Sequence, residues 1–286
     1  MARHEAGTAP AGYATQSAWS DPGDPGARFD ELPRGLTELC SLVQGLLLHD
    51  HFGGLLYGPP PPRFQEASRA TQPVSRRLAA ILAADPAPLS GARAPFARSV
   101  GTCRDYALLL VGLLRRQGRP ARLRCGFADY FHAGFEDHWV CEYWQPEREA
   151  WALADPQLDP PTRAHLGIAF DPTDLPAGQF RFSWQAWQAC RAGRASPSDY
   201  GHGDAKGTWF LQVNLARDLL ALVNRETSDW DGWRTALPGG WRSSEDDLQA
   251  WDQVAALAAK ASGLEPPHVG SLPALGLPPW LADPVG

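Results

Sequence analysis

Residues 101–118 read GTCRDYALLLVGLLRRQG. From Ala107 to Leu114 the chain is apolar nearly all round, so a helix here keeps no face for water and must be buried. Gly118 and Pro120 stop it. Cys103 stands at its mouth, with Gly101 and Thr102 before it and Arg104 and Asp105 after it. A helix N-terminus presents unpaired backbone N–H groups and the positive end of the macrodipole, both of which favour a thiolate, the reactive form of cysteine. A small buried residue is the plainer account of a single cysteine. The nucleophile reading therefore needs a base and a group to orient it.

The segments behind the helix supply both. ARLRCGFA (121–128) alternates Ala121, Leu123, Cys125 and Phe127 with Arg122, Arg124 and Gly126, the pattern of a half-buried strand. HWVCEYW (138–144) and EAWALAD (149–155) are two further strands separated by the polar turn QPER, and they invite pairing as a hairpin. With Gln145–Arg148 as a four-residue loop, Trp144 opposes Glu149 and His138 stands opposite Asp155. In that register Trp139, Cys141 and Tyr143 meet Ala154, Ala152 and Ala150, large side chains against small ones. A slip by one residue would put His138 and Asp155 on opposite faces. Singly, His138 is an ordinary strand-start histidine and Asp155 an ordinary turn residue before proline. Together with Cys103 they match a nucleophile, a general base and an orienter.

GTCRDYALLLVGLLRRQGRPARLRCGF, followed by EDHWVCEYW and ALADPQLD, resembles the core of the transglutaminase-like superfamily over roughly residues 95–160. The whole chain also resembles bacterial proteins described only as transglutaminase-domain proteins. The resemblance implies an α+β fold with a papain-like core: a buried nucleophile helix packed on an antiparallel sheet, with added helices. It implies Cys103 as nucleophile, His138 as base and Asp155 as orienting carboxylate. Members of the superfamily cross-link glutamine to amines, hydrolyse peptides, deglycosylate asparagine or form amide bonds, all through a thioester. The implied substrate is a small-molecule or peptide amide or ester, with water or an amine as acceptor and no cofactor. A binding module that kept the fold is the rival from another class, although all three positions carry competent residues. An arylamine N-acetyltransferase-like protein would use the same three groups, but the RGG-x-C context associated with that family is absent.

The chain has 286 residues, of which 44% are apolar, enough to bury a full core. A net charge of −6 speaks against a nucleic-acid partner. The first thirty residues contain no continuous apolar run, which argues against a signal peptide or membrane anchor and for a cytoplasmic protein. Five scattered cysteines, Cys40, Cys103, Cys125, Cys141 and Cys190, do not form the pattern of a disulfide framework. Residues 1–33, rich in Gly, Pro and Ala, are expected to be a mobile leader; 34–235 the transglutaminase-like domain with helical additions; and 236–286 a C-terminal helix with a Pro/Gly-rich tail. LTELCSLVQGLLLHDHF and SRRLAAILAADP look helical, and FSWQAWQACRAG a short helix capped by Ser183. In SSEDDLQAWDQVAALAAKASG, Leu248, Trp251, Ala255 and Ala258 share one face. His49 and His51 lack further placed ligands, so no metal is expected. His51, Tyr57 and Trp139 are the candidate substrate-binding residues, Trp139 as a pocket wall beside the base.

Overall fold

The computed structural model describes residues 10–23, 32–65, 67, 72–131, 134–226 and 245–263. Helices α1 (Leu36–Leu46), α2 (Asp50–Tyr57), α3 (Pro62–Gln65) and α4 (Val74–Ala84) precede the central α5 (Cys103–Arg116). Helices α6 (Pro160–Leu166), α7 (Ser183–Arg191), α8 (Thr208–Leu222) and α9 (Glu245–Ala261) follow it. Strands β1 (Leu47–His49) and β2 (Ser99–Gly101) form a small parallel pair. The main sheet has the order β6 (Phe180–Phe182), β3 (Ala121–Ala128), β4 (Phe135–Gln145), β7 (Tyr200–His202), β8 (Ala205–Lys206), with β5 (Ala150–Ala154) also beside β4. It is antiparallel except where β7 joins β4 in parallel, so the fold is α+β with a mixed sheet.

Side-chain alternation along β3 and β4 decides what each face of the sheet carries. Leu123, Trp139, Cys141 and Tyr143 share a core with the apolar residues of α5 and with the buried faces of α1 and α4. The opposite set, Arg122, Arg124 and Glu142, meets α8 and the end of α9. The helix α5 is therefore buried along its length, as its uniform apolarity requires. Along α9, Trp251, Ala255 and Ala258 are buried against a second core built on α7 and α8, with Leu248 packed on it.

Several local expectations need correction. ARLRCGFA is buried at all eight positions, not half-buried, because α8 and α9 cover the face on which its arginines stand. The run LTELCSLVQGLLLHDHF is not one helix: Leu47–His49 extend to pair with Ser99–Gly101 before α2 begins. Ser183 does not cap α7; it is the first helical residue, buried, and its Oγ donates to the Cys125 carbonyl at 2.6 Å. Part of the expected leader is also packed down. Tyr13 is fully buried and donates to the Leu222 carbonyl at 2.8 Å, and Gln16 Nε2 donates to the Gly112 carbonyl at 2.9 Å. Gly112 permits this, since a Cβ there would run into the Ser20 carbonyl. Residues 1–9 and 24–31 of that stretch, and the tail beyond 263, lie outside the described residues.

The hairpin register differs as well. Gln145 pairs with Ala150, Trp144 with Trp151 and Cys141 with Ala154, so the loop is Pro146–Glu149, one residue later than the sequence suggested. Glu149 adopts φ 48°, a left-handed conformation that no strand residue takes, and this closes the turn. Moving the loop by one residue moves the pairing by two, which leaves every side chain on its expected face. His138 is thus not directly opposite Asp155, yet the two remain on one side of the sheet. Among the described residues no helix is long and apolar enough to cross a membrane.

Candidate functional site

Cys103 is the first residue of α5, half-buried, and packs against the core that α5 shares with the sheet. The start of this helix is pinned from two directions. The Thr102 backbone N–H donates to Asp105 Oδ2 at 3.0 Å, and Arg77 reaches across from α4 to Asp105 Oδ1 at 2.8 Å and to the Val100 carbonyl at 2.7 Å. Arg77 and Asp105 are both buried, so the Asp105 charge is matched locally and does not offset the positive helix end at the sulfur. The sequence alone did not single out Arg77.

Directly before Cys103, β2 pairs with β1, which sets His49 opposite Gly101. The turn that leads into Cys103 and the His49–His51 segment are therefore neighbours. The His49 side chain accepts from the His51 backbone N–H at 3.2 Å and caps α2. The His51 ring is exposed and meets Phe52 edge-on at 5.4 Å. Phe52 leads inward to Phe131 at 6.1 Å, and Phe131 to the His138 ring at 4.7 Å. His51 thus stands at the rim, two rings from His138. Tyr57 belongs to a different cluster, with Leu48, Phe64, Val100 and Phe96. Among the described residues no group of three or more His, Cys, Asp or Glu side chains is placed to hold a metal ion.

His138 lies on β4 between the stretch held by β5 and the stretch held by β7, and Asp155 follows the last residue of β5. Both are buried. His138 Nε2 and Asp155 Oδ2 are 2.8 Å apart, a charge-assisted contact in which the ring N–H donates to the carboxylate. Asp155 is fixed from every side: its Oδ1 accepts from the Gln157 backbone N–H at 3.0 Å, and its own N–H donates to the Pro172 carbonyl at 2.7 Å. A third donor was not legible in the sequence. The Tyr130 hydroxyl, in the loop after β3, donates to Asp155 Oδ2 at 2.7 Å.

Burial pushes the Tyr130 phenol well above its ordinary pKa, and the nearby charges of Asp155 and Cys103 push it further. Tyr130 thus feels the charge of Cys103 at the helix start and touches Asp155, the carboxylate that pairs with the His138 imidazole. Residues 58–156, which contain all four, match the family model of the transglutaminase-like superfamily. The chain carries a transglutaminase-like domain. No curated protein and no solved structure matches it. Within the transglutaminase-like domain, Trp139 is not the pocket wall expected of it. It is 1% exposed, points to the opposite face of β4 from His138, and lies under the Arg104 guanidinium at 6.0 Å. Aromatic contact with the imidazole comes instead from Phe131 and Tyr130, the latter edge-on at 5.9 Å.

The remaining thiols sit in less favourable surroundings. Burial pushes Cys40 up to about 12 and Cys190 up to about 11, and it takes Cys141 well above the ordinary thiol value. Cys125 is buried in β3, its sulfur against the Asn214 carboxamide.

Proposed function

We propose that Cys103, His138 and Asp155 act together as nucleophile, general base and orienter in a thiol-dependent acyl transfer or amide hydrolysis. The observation that carries this reading is the buried 2.8 Å contact between His138 Nε2 and Asp155 Oδ2. With Nε2 committed to the carboxylate, Nδ1 is the ring nitrogen left for the thiol, and Asp155 stabilises the imidazolium without touching substrate. The Cys103 thiolate attacks the carbonyl carbon of an amide or ester, forming the C–S bond while the π electrons move to oxygen. The Cys103 backbone N–H, at the positive end of its helix, is the donor proposed for that oxyanion. Collapse breaks the bond to the leaving group, which takes its proton from the His138 imidazolium. Water or an amine then attacks the thioester as His138 accepts its proton, the C–S bond breaks, and the thiolate returns.

Intact mass measured after incubation with simple amide, ester and thioester donors tests the reading. The wild-type chain should gain one acyl mass and Cys103→Ala none. An equal adduct on both proteins would place the acylated group elsewhere and end the proposal.

A further inference from the structure

Asp155 Oδ2 serves two donors at once, His138 Nε2 at 2.8 Å and the Tyr130 hydroxyl at 2.7 Å. Any rotation of the carboxylate that breaks one contact disturbs the other. The hydroxyl is not needed to satisfy Asp155, whose Oδ1 already takes the Gln157 backbone N–H and whose Oδ2 already takes the imidazole. Nor is it placed there by a buried ring alone. Tyr130 is half-buried, held by edge-on contacts with Phe170 at 5.5 Å and His138 at 5.9 Å and by a tilted contact with Phe131 at 4.8 Å, with its polar end directed inward.

We infer that Tyr130 is a positioning residue for the acyl-transfer chemistry, acting through Asp155: its hydroxyl fixes the carboxylate towards His138 and draws off part of the charge that the imidazole meets. The inference rests on the proposed roles of Cys103, His138 and Asp155. A hydrogen bond to an ionised carboxylate spreads its charge, so the carboxylate holds the imidazolium less tightly than it would alone. Tyr130 stays protonated throughout the working range, because burial first, and then Asp155 and Cys103, disfavour the phenolate. It can donate and cannot serve as a base. The titratable groups that bear on this cluster are Cys103 and Asp129, through Tyr130, and Cys40, which feels Asp155.

The test is the pH profile of Cys103 alkylation by iodoacetamide in the full chain, read by peptide mapping in wild type, Tyr130→Phe, Tyr130→Leu and His138→Ala. Tyr130→Phe keeps the ring and removes only the hydroxyl. It should move the high-pH limb of the profile, where the imidazolium loses its proton, upward by about half a pH unit, roughly a threefold change in the equilibrium. On an Asp155→Asn background the same substitution should move nothing, because the charge it redistributes is gone. Unchanged urea midpoints would separate this effect from unfolding. If Tyr130→Phe superimposes on wild type while Tyr130→Leu shifts, the ring alone matters and the inference is overturned. If Tyr130→Phe shifts equally in the Asp155→Asn background, the hydroxyl does not act through the carboxylate, and the inference again fails. A His138→Ala profile identical to wild type would instead remove the reading on which the inference rests.

Discussion

Cys103 differs from the other cysteines by the ground its sulfur occupies. It opens a fourteen-residue helix whose first turn is locked by Thr102, Asp105 and Arg77, whereas Cys40, Cys141 and Cys190 have their thiols pushed up by burial. Dilute iodoacetamide at neutral pH should therefore modify Cys103 well before those three, and its reactivity should persist below the ~8.5 of a free cysteine. In His138→Ala the profile should rise towards the free-thiol value if, as proposed, the imidazole is the partner of the thiol. Turnover with any donor that acylates Cys103 should fall by about 10³-fold in the same variant. Coincident alkylation profiles would show that His138 does not partner the thiol. Mapping that finds Cys40 or Cys190 modified first would point to a fold kept for binding.

At the scale of elements, the β4–β5 hairpin shows what a periodic pattern can and cannot carry. The apolar run after Cys103 and the alternation around His138 were enough to place a buried helix and two paired strands, because each depends on a period that the residues print directly. The face shared by His138 and Asp155 was legible for the same reason. The register was not: large side chains meet alanines whether Trp139 or Cys141 faces Ala154, and only the left-handed Glu149 decides the loop. Arg122 and Arg124 misled because covering helices nearly a hundred residues or more downstream turn a strand's polar face into an interior. Tyr130 left no signal, since its role depends on a loop bringing it to Asp155. The strain at Glu149 has a measurable consequence. A left-handed residue with a Cβ costs ~1–2 kcal/mol, of which glycine's larger unfolded-state entropy returns part, so Glu149→Gly should stabilise the chain by about 0.5 kcal/mol and Glu149→Val should destabilise it. Urea midpoints would decide, and a lower midpoint for the glycine variant would mean that the turn closes in another conformation.

Across the whole molecule, one buried ionic network joins the sheet to the helices that cover its second face. Glu142 Oε2 accepts from Arg122 Nε at 2.6 Å and from Arg124 Nη1 at 2.7 Å, and Arg124 turns its other edge to both oxygens of Asp218 on α8. Arg122 continues to the carbonyls of Ala261, Ser262 and Gly263 at the end of α9, where a cation also suits the helix dipole. Its guanidinium lies over the Trp151 ring at 3.9 Å and the Tyr13 ring at 4.8 Å, so the N-terminal segment and the hairpin meet at the same charge. Burial raises the Glu142 pKa, but the two guanidinium groups outweigh it and leave the carboxyl below its ordinary value. A carboxyl whose pKa is lower folded than unfolded contributes stability in full above the unfolded value of about 4.3, and loses it as pH falls through the folded value. Glu142→Gln leaves two buried guanidiniums facing one remaining carboxylate, Asp218, and should cost about 3 kcal/mol at pH 7, at the lower end of what breaking a buried ion pair costs. The cost should shrink between about pH 4 and pH 2, because the wild-type carboxyl is then protonated too. Urea denaturation of both proteins across that range measures it, and hydrogen exchange at pH 7 should show α9 losing protection in the variant before α5 does. A penalty that stays constant from pH 7 to pH 2 would mean that the shape of Glu142, not its charge, holds the two arginines under α8 and α9.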